Sequence, residues 1–563
     1  MLAPFRSRPL VAYFSMEICV EAKIPTYSGG LGILAGDILR SAADLNLPMV
    51  GITLISRRGY FRQFLSSNGE QREEPDPWDP AAVCQPLSAK VSVSIEGREV
   101  WVRAWLRFIE GHQGDKLPVI FLDVDLPENT PADRELTHSL YGGDASYRFK
   151  QEMVLGIGGV RLLRALGLRI RKYHLNEGHA ALLALELLRD TRASSEDLRP
   201  GESPFDFPLV RSLCNFTTHT PIGAGRDEFD YQLVERLLGD FIDPKTLRLV
   251  GGQERLDMSR LGMSLSGYVN GVAKRHAETS RTLFPGYAVR AVTNGVHPHT
   301  WVSAPFAVVF DRHLPGWCNE PEILVRVDCC VSAEQVWAAH TAAKQLLLDY
   351  VQKDTGVTFD PTLPILGFAR RMTAYKRPEL LFSDLERLRT IARKTPFQIV
   401  LAGKAHPRDA DGKERIARLH QALRALTPHI KSVFLPNYSM TMAQRLVSGV
   451  DVWLNTPQPP LEASGTSGMK AAMNGVPSLS VLDGWWAEGC IEGVTGWAIG
   501  DGRIETSIDD ARSLYDKLEQ RVLPLYYEDR AGWTYVMKAA ISRNGMLFNS
   551  HRMMRRYAAE AYL

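Results

Sequence analysis

The sequence lacks an excess of either charge: 66 basic residues against 64 acidic ones leave +2 over 563 residues. Nothing in that balance draws the chain to nucleic acid or to an anionic membrane, and neither is expected as a partner. A small anion could still bind in a local basic pocket. Cysteine is scarce and scattered. Of the seven, only Cys329 and Cys330 adjoin, and no C-x-x-C pair has zinc-like spacing. Reduced, buried thiols are therefore expected, without a disulfide framework and without a metal site. No run of about 18 apolar residues is present to span a membrane. The opening MLAPFRSRPLVAYFSMEI has neither the apolar stretch nor the cleavage site of a signal peptide, so a cytoplasmic location is expected. Internal repeats and low-complexity tracts are missing too. What is there is a globular composition, 45% hydrophobic and 23% charged, with length enough for about three or four average domains.

Short apolar runs recur, often followed by glycine and then a helical pattern. In the first half they are VAYFSM from Val11, MVGITLI from Met49, VIFLDVD from Val119 and a run around Leu213 to Thr218. In the second half they are ILGFA from Ile365, QIVLAG from Gln398, SVFLP from Ser432, DVWLN from Asp451 and SLSVLD from Ser478. Strands alternating with helices indicate an α/β fold with largely parallel sheets. KVSVSIEGREVWVRAWLRF, from Lys90, alternates with period two around Glu96-Gly97 and predicts an antiparallel hairpin. The α/β pattern weakens over residues 302–335 before a helical stretch from Ala333. That predicts two doubly wound domains, 1–320 and 321–563, whose ligand loops share a cleft. The last helical segment, from about Ser513 to Tyr562, is expected to cross back onto the first domain.

Several familiar chemistries have no motif here. There is no P-loop, no complete G-x-G-x-x-G, no G-x-S-x-G elbow and no H-E-x-x-H zinc helix, since His174 and His179 are spaced i, i+5. Three other segments stand out. Ser28-Gly29-Gly30-Leu31-Gly32 runs into a helical pattern, where backbone N–H groups and the helix dipole favour an anion; a plain tight turn reads the same. Arg370-Arg371-Met372-Thr373-Ala374-Tyr375-Lys376-Arg377 follows the strand ILGF. Its Arg371 and Lys376 could converge on a phosphate, or the segment could be a solvated basic turn. In Glu462–Lys470, EASGTSGMK, small hydroxyl and glycine residues precede a helix that carries Lys470 about one turn in. A phosphate cup beside a lysine suits an aldehyde-and-phosphate cofactor such as pyridoxal phosphate; an exposed lysine at an ordinary helix start stays open. His219, after a predicted strand, and His297 and His299, in TNGVHPHTW, are more often structural than catalytic, and the spacing shows no metal cluster.

Taken together, the order SGGLG, YGGD, HLNEGH, THT, TNGV.P..W, RRMTAYKR, PNYSM and EASGTSGMKAAMNG closely resembles the α-glucan (glycogen, starch and maltodextrin) phosphorylases of the shorter bacterial type. The resemblance runs from about Val11 to the C-terminal helices. It implies a GT-B architecture, two Rossmann-like domains with the active site between them. It also implies reversible, retaining phosphorolysis of α-1,4-glucan or maltooligosaccharide by inorganic phosphate, releasing glucose 1-phosphate from the non-reducing end. Pyridoxal 5'-phosphate would stay linked to Lys470, its phosphate assisting proton transfer to the substrate phosphate.

By the same resemblance, Arg371 and Lys376 bind substrate phosphate, with the backbone of Gly29 and Gly30 contributing. Thr466, Ser467, Gly468 and Arg370 hold the cofactor phosphate, and Tyr438 and Trp301 border the cofactor. His219, near the reacting carbon, joins Asn294, Glu462, Ser464, Gly465 and Tyr375 in holding the terminal glucose. Asp144, in YGGD, matches an acidic loop that lines the site. Because the chain begins almost at the first core motif, the N-terminal regulatory extension of animal enzymes and its phosphorylation-controlled dimer switch are not expected; a homodimer remains compatible. The motif reads GTSGMK where larger enzymes carry GTGNMK. The rival reading is a GT-B nucleotide-sugar glucosyltransferase resembling glycogen synthase, which would need no lysine behind a phosphate cup. A non-catalytic glucan-binding protein and a conventional pyridoxal aminotransferase are weaker alternatives.

Overall fold

Runs of Val, Ile, Leu and Phe without polar alternation suit strands covered on both faces, as parallel sheets require. The computed structural model, which describes residues 2–194, 196, 198–199, 202–220, 227–502 and 507–563, uses them that way. Its first sheet contains β1 (Leu10–Phe14), β2 (Met49–Leu54), β3 (Gln85–Ile95), β4 (Arg98–Glu110), β5 (Lys116–Asp123), β6 (Ile170–Asn176), β7 (Cys214–Thr217), β8 (Tyr268–Gly271) and β9 (Val289–Ala291). They lie in the order β9-β8-β7-β6-β1-β2-β5-β4-β3. Antiparallel pairing is confined to β3–β4 and β4–β5, and β3 and β4 end the sheet. They are the hairpin expected from the alternating pattern, turning at Glu96 and Gly97 with φ of 53° and 73°, the conformation of a tight primed turn. The hairpin extends the sheet edge.

The second sheet is wholly parallel. Its strands are β10 (Ile365–Ala369), β11 (Gln398–Ala402), β12 (Ser432–Leu435), β13 (Val452–Asn455), β14 (Ser478–Val481) and β15 (Gly496–Ile499). The order β12-β11-β10-β13-β14-β15 is the doubly wound 3-2-1-4-5-6 arrangement, and the seven parallel strands of the first sheet repeat it with one strand added. In both, the order reverses beside the first strand, opening a crevice at the strand ends where ligands bind in such sheets. The crevices lie between β1 and β6 and between β10 and β13.

Four helices carry or brace the residues at these crevices. α1 (Gly30–Asp44) begins behind Gly29 with no side-chain cap. α2 (Ala333–Thr355) starts with a reciprocal capping box, Ser332 with Gln335, and stops at Gly356 in the left-handed region. α3 (Thr466–Ala472) follows Gly465, which has φ of 80° and leaves the helix uncapped by any side chain. α4 (Ser550–Tyr557) and residues 558–562 return over the first sheet. There the Tyr562 hydroxyl donates to His174 Nδ1 at 2.6 Å, and His174 Nε2 donates to Thr217 Oγ1 at 2.9 Å. The Thr217 hydroxyl in turn donates to Asn270 Oδ1. Burial holds His174 down at about 3, so it is a neutral structural imidazole. The core beneath the second sheet already takes in Val296, Trp301, Phe306, Phe310 and Val331.

No helix among the described residues is long and apolar enough to cross a membrane. Four cysteines are buried as expected, but Cys329 is exposed and Cys330 and Cys490 are partly so; the first two sit in the short helix Val327–Cys330, whose buried side belongs to Val327.

One buried charge ties α2 to the second sheet. Asp451 accepts from His340 at 2.9 Å and from the Ile365 N–H at 2.8 Å, and pairs with Lys344 at 2.8 Å. Burial alone would raise its carboxyl, but Lys344 and His340 hold it at about 2. A depressed carboxyl stabilises the fold above its unfolded value near 4 and loses that contribution as pH falls toward 2. Replacing Asp451 by Ala strands Lys344 in the core. The expected loss is about 3–5 kcal/mol at pH 7 in urea unfolding; a loss below about 1 kcal/mol would contradict this account.

Candidate active site

The crevice of the second sheet gathers the basic turn and the glycine-rich loop. Arg370, directly after β10, donates from Nη1 to Asn455 Oδ1 at the end of β13 (3.0 Å) and from Nη2 to Glu462 (2.6 Å). Lys376 Nζ reaches both Glu462 oxygens, at 2.8 and 2.7 Å, and lies 4.3 Å from the Tyr375 ring centroid. Burial by itself would raise the Glu462 carboxyl; Arg370 and Lys376 hold it down at about 2. Glu462 is thus an anion at any working pH, and Lys376 is committed to it. The Glu462 N–H donates to Asp483. Gly484 has φ of 54°, and a Cβ there would come within 2.4 Å of the Ser464 carbonyl, so only glycine lets these two loops close on each other.

Arg371 differs from its neighbours. It is exposed, and its guanidinium makes no hydrogen bond or ion pair with a described residue. It faces the first sheet, where a Cβ on Gly29 would lie 3.6 Å from Nη2. The Gly29 loop is itself held by Glu17, which follows β1. Glu17 accepts from the Ser28 N–H at 2.6 Å, the Gly29 N–H at 3.2 Å and the Tyr141 hydroxyl at 2.9 Å. The Gly29 N–H is therefore engaged, while Gly30 opens α1 with its N–H outside that interaction.

α3 carries Lys470 into the interior. Its ammonium sits 3.8 Å from the Trp301 ring centroid, with no hydrogen bond or ion pair to a described residue. The Trp301 indole donates to Asp37 at 2.8 Å, and Asn474 ties the backbone carbonyls of Trp301 and Lys470 together at 2.8 and 2.9 Å. Burial lowers the Lys470 amine to about 8, with Asp37 and Cys19 opposing. At the head of α3, Ser467 accepts from the Trp453 indole at 3.1 Å, and a Cβ on Gly468 would strike Trp485 at 2.7 Å. Ser464 Oγ and Arg370 Nε are buried without partners. Burial pushes the Tyr438 phenol up, with Arg370 the opposing charge.

In the first sheet's crevice, His219 follows β7. Its Nε2 lies 2.6 Å from Asn176 Oδ1 and its backbone N–H donates to Glu177 at 2.7 Å. A carbonyl oxygen only accepts, so the proton is on Nε2. Burial, with a smaller push from His276, lowers His219 to about 3; it is neutral at working pH. Asn294 has a buried carboxamide oxygen without a partner. Asp144 is exposed and caps the helix Ala145–Met153, accepting from the Tyr147 N–H at 2.9 Å. It is not drawn into the cluster, whereas Tyr141 of the same YGGD is. Glu17, Glu177 (φ 71°), Asn176 and Tyr141 escape a reading of the sequence. Asn176 and Glu177 lie in the HLNEGH motif and Tyr141 in YGGD without being singled out there, and Glu17 has the signal of an acidic residue just past the first strand.

Comparison with known proteins bears on this geometry. Residues 226–490 match the model of a family described as carbohydrate phosphorylase. The chain is 39% identical to the maltodextrin phosphorylase of Thermococcus litoralis, covering 98% of this chain and 70% of that one. The chain belongs to the carbohydrate phosphorylase family. The glycogen phosphorylases of Mycobacterium tuberculosis (36% identity, 98% of this chain and 70% of that one) and Aquifex aeolicus (33%, 99% and 86%) are similar throughout. In this phosphorylase the matched region holds Asn294, the basic turn, Glu462 and Lys470; Gly29 and His219 lie before it.

A lysine amine near 8 loses its proton two to three units below an ordinary lysine. In the apo-protein, carbamylation of Lys470 by cyanate, read by peptide mass spectrometry, should reach half its limiting rate near pH 8. Half-reaction near pH 10 would mean that Lys470 is an ordinary solvated lysine.

Proposed function

We propose that the chain catalyses reversible phosphorolysis of α-1,4-glucan non-reducing ends to glucose 1-phosphate, with pyridoxal 5'-phosphate held by Lys470. The observation that carries the reading is the buried Lys470 amine, without a partner among the described residues and lowered toward neutrality, in a helix with no side-chain cap that follows the loop whose Glu462 is shared by Arg370 and Lys376. The residues present fit the cofactor. A neutral amine suits its aldehyde, the free N–H groups at the head of α3 suit its phosphate, and the unpartnered Arg370 Nε and Ser464 Oγ supply further polar contacts. When bound, the cofactor supplies a phosphate able to exchange a proton with a second phosphate.

The two switch-point crevices are read as one cleft between two Rossmann-like domains of the GT-B kind. Thr466, Ser467, Gly468 and Arg370 hold the cofactor phosphate, and Trp301 and Tyr438 flank the ring. Arg371, without a partner among the described residues, receives inorganic phosphate, with Gly30 opposite. Lys376 adds positive charge without leaving Glu462, so the carboxylate keeps the local charge from repelling its own cations while the net field still favours a dianion. Glu462, Ser464, Gly465, Tyr375, Asn294 and His219 contact the terminal glucose. Because His219 is neutral with Nε2–H engaged by Asn176, it acts as a hydrogen-bonding contact and does not serve as an acid.

Phosphate-dependent release of glucose 1-phosphate from maltooligosaccharides and glycogen, with pyridoxal absorbance recorded on the same sample, tests the reading. Lys470→Ala should lose the absorbance and nearly all activity. Arg371→Ala should keep the absorbance while KM for phosphate rises about 10- to 100-fold, the cost of one charge-assisted, forked contact. Unchanged phosphate kinetics in Arg371→Ala would overturn the role of the basic turn. A colourless protein that transfers glucose from a nucleotide sugar would overturn the whole assignment in favour of a glycogen synthase-like transferase.

A further inference from the structure

Away from the crevices, the tip of the β4–β5 connection, residues 111–115, folds against the chain that follows β9. His112 comes from that tip, His299 from V-H-P-H-T, and Cys318 from the turn after the helix Ala304–His313. One donor atom from each lies within 4.8 Å of the other two, and the two imidazole centroids are 5.0 Å apart. None of the ring nitrogens, nor the Cys318 sulfur, makes a hydrogen bond or ion pair with a described residue. Both rings are exposed while Cys318 is buried at 6% exposure. A half-open funnel of three uncommitted donors, brought from three separate segments, is what a bound ion needs and what a solvated surface does not require.

We propose that His112, His299 and Cys318 bind one zinc(II)-like dication, with water completing the coordination. Two imidazoles and a thiolate are a borderline-soft set that suits zinc and its neighbours; magnesium and calcium require oxygen donors. Tetrahedral bonds of about 2.0–2.3 Å place donor atoms roughly 3.3–3.8 Å apart, which small rotamer changes reach from the present separation. On binding, the thiol proton leaves to solvent as the sulfur–metal bond forms, and the imidazoles bind as neutral ligands.

The adjoining group Asp44, His297 and His551 also falls within 4.8 Å, but its donors already face one another, although His551 Nε2, 3.3 Å from Asp44 Oδ2, makes no hydrogen bond. His297 spans Thr300 Oγ1 at 2.6 Å and Asp44 Oδ2 at 2.7 Å, and both histidines are buried. Asp44 also accepts from the His112 backbone N–H at 2.7 Å, so this group braces the β4–β5 connection from behind, as outer partners of metal sites do. A bound ion would pin the β4–β5 connection to the segment that carries Trp301, two residues beyond His299.

Titration of the EDTA-stripped full chain with Co2+ tests this. One equivalent should bind with tetrahedral d–d bands and a thiolate-to-cobalt charge-transfer band, and Zn2+ should displace it. Cys318→Ser should abolish the charge-transfer band, whereas the Cys329→Ser/Cys330→Ser double variant should keep it. His299→Asn, on an exposed ring whose described contacts are the His112 and His297 rings, should weaken Co2+ binding more than about ten-fold, since even outer partners are worth that much. Zn2+ should raise the Tm of the parent and not of His299→Asn. The proposal fails if no charge-transfer band appears, if the band survives Cys318→Ser, or if Co2+ binds without thiolate character, which would put the ion at Asp44, His297 and His551.

Discussion

One carboxylate, that of Glu462, sets the geometry of the second crevice. It receives Arg370 and Lys376 together while its own N–H is taken by Asp483. Three charged groups in so little water would each be costly alone; sharing one anion between two cations offsets much of that cost and fixes both side chains. The turn after β10 and the loop before α3 are thereby locked across the point where strand order reverses. Arg371 is left over, the cation of the turn with no partner among the described residues, and it points toward the Gly29 loop.

The first sheet mirrors this. Glu17, just past its first strand, gathers the N–H groups of Ser28 and Gly29 and the Tyr141 hydroxyl, and Glu177, just past β6, takes the His219 N–H and the Thr220 hydroxyl. Each crevice is organised by buried acids that accept hydrogen bonds and so free the neighbouring bases and amides to meet a ligand. Negative charge is used as framing, and the positive charge and polar hydrogens are what the crevices present.

The sequence discloses what depends on local chemistry. Each of the apolar runs read above as a strand forms one, and the Glu96-Gly97 hairpin follows from period-two alternation. β6, β8, β9 and β15 carry no such run and are not legible. In β6 the reason is plain: His174 and Asn176 are tolerated inside only because Tyr562, Thr217 and Ser15 come from elsewhere to satisfy them. The glycine-rich loop and the basic turn are legible as motifs, but not that Lys376 and Arg370 share Glu462, a contact spanning 86 and 92 residues. Asp144 attracts attention as an acid in a recognisable motif, yet helix capping uses its oxygen, and the hydroxyl three positions earlier makes the contact. His112, His299 and Cys318 have no spacing to betray them because the fold alone assembles them.

The returning C-terminal segment has a consequence for how the molecule is made. Met553, Met554, Tyr557, Ala561 and Tyr562 complete a cluster with Val11, Tyr13 and Met49, residues that leave the ribosome long before them. A chain normally folds its leading unit while the rest is still being added. Here the leading sheet must wait, one polar and aromatic face uncovered, until residues 553–562 have been synthesised and can swing back. Vectorial synthesis therefore cannot finish the first half before the second. The two halves become final together, which ties completion of the sheet that bears Glu17 and His219 to prior emergence of the strands that carry Arg371 and the helix that carries Lys470.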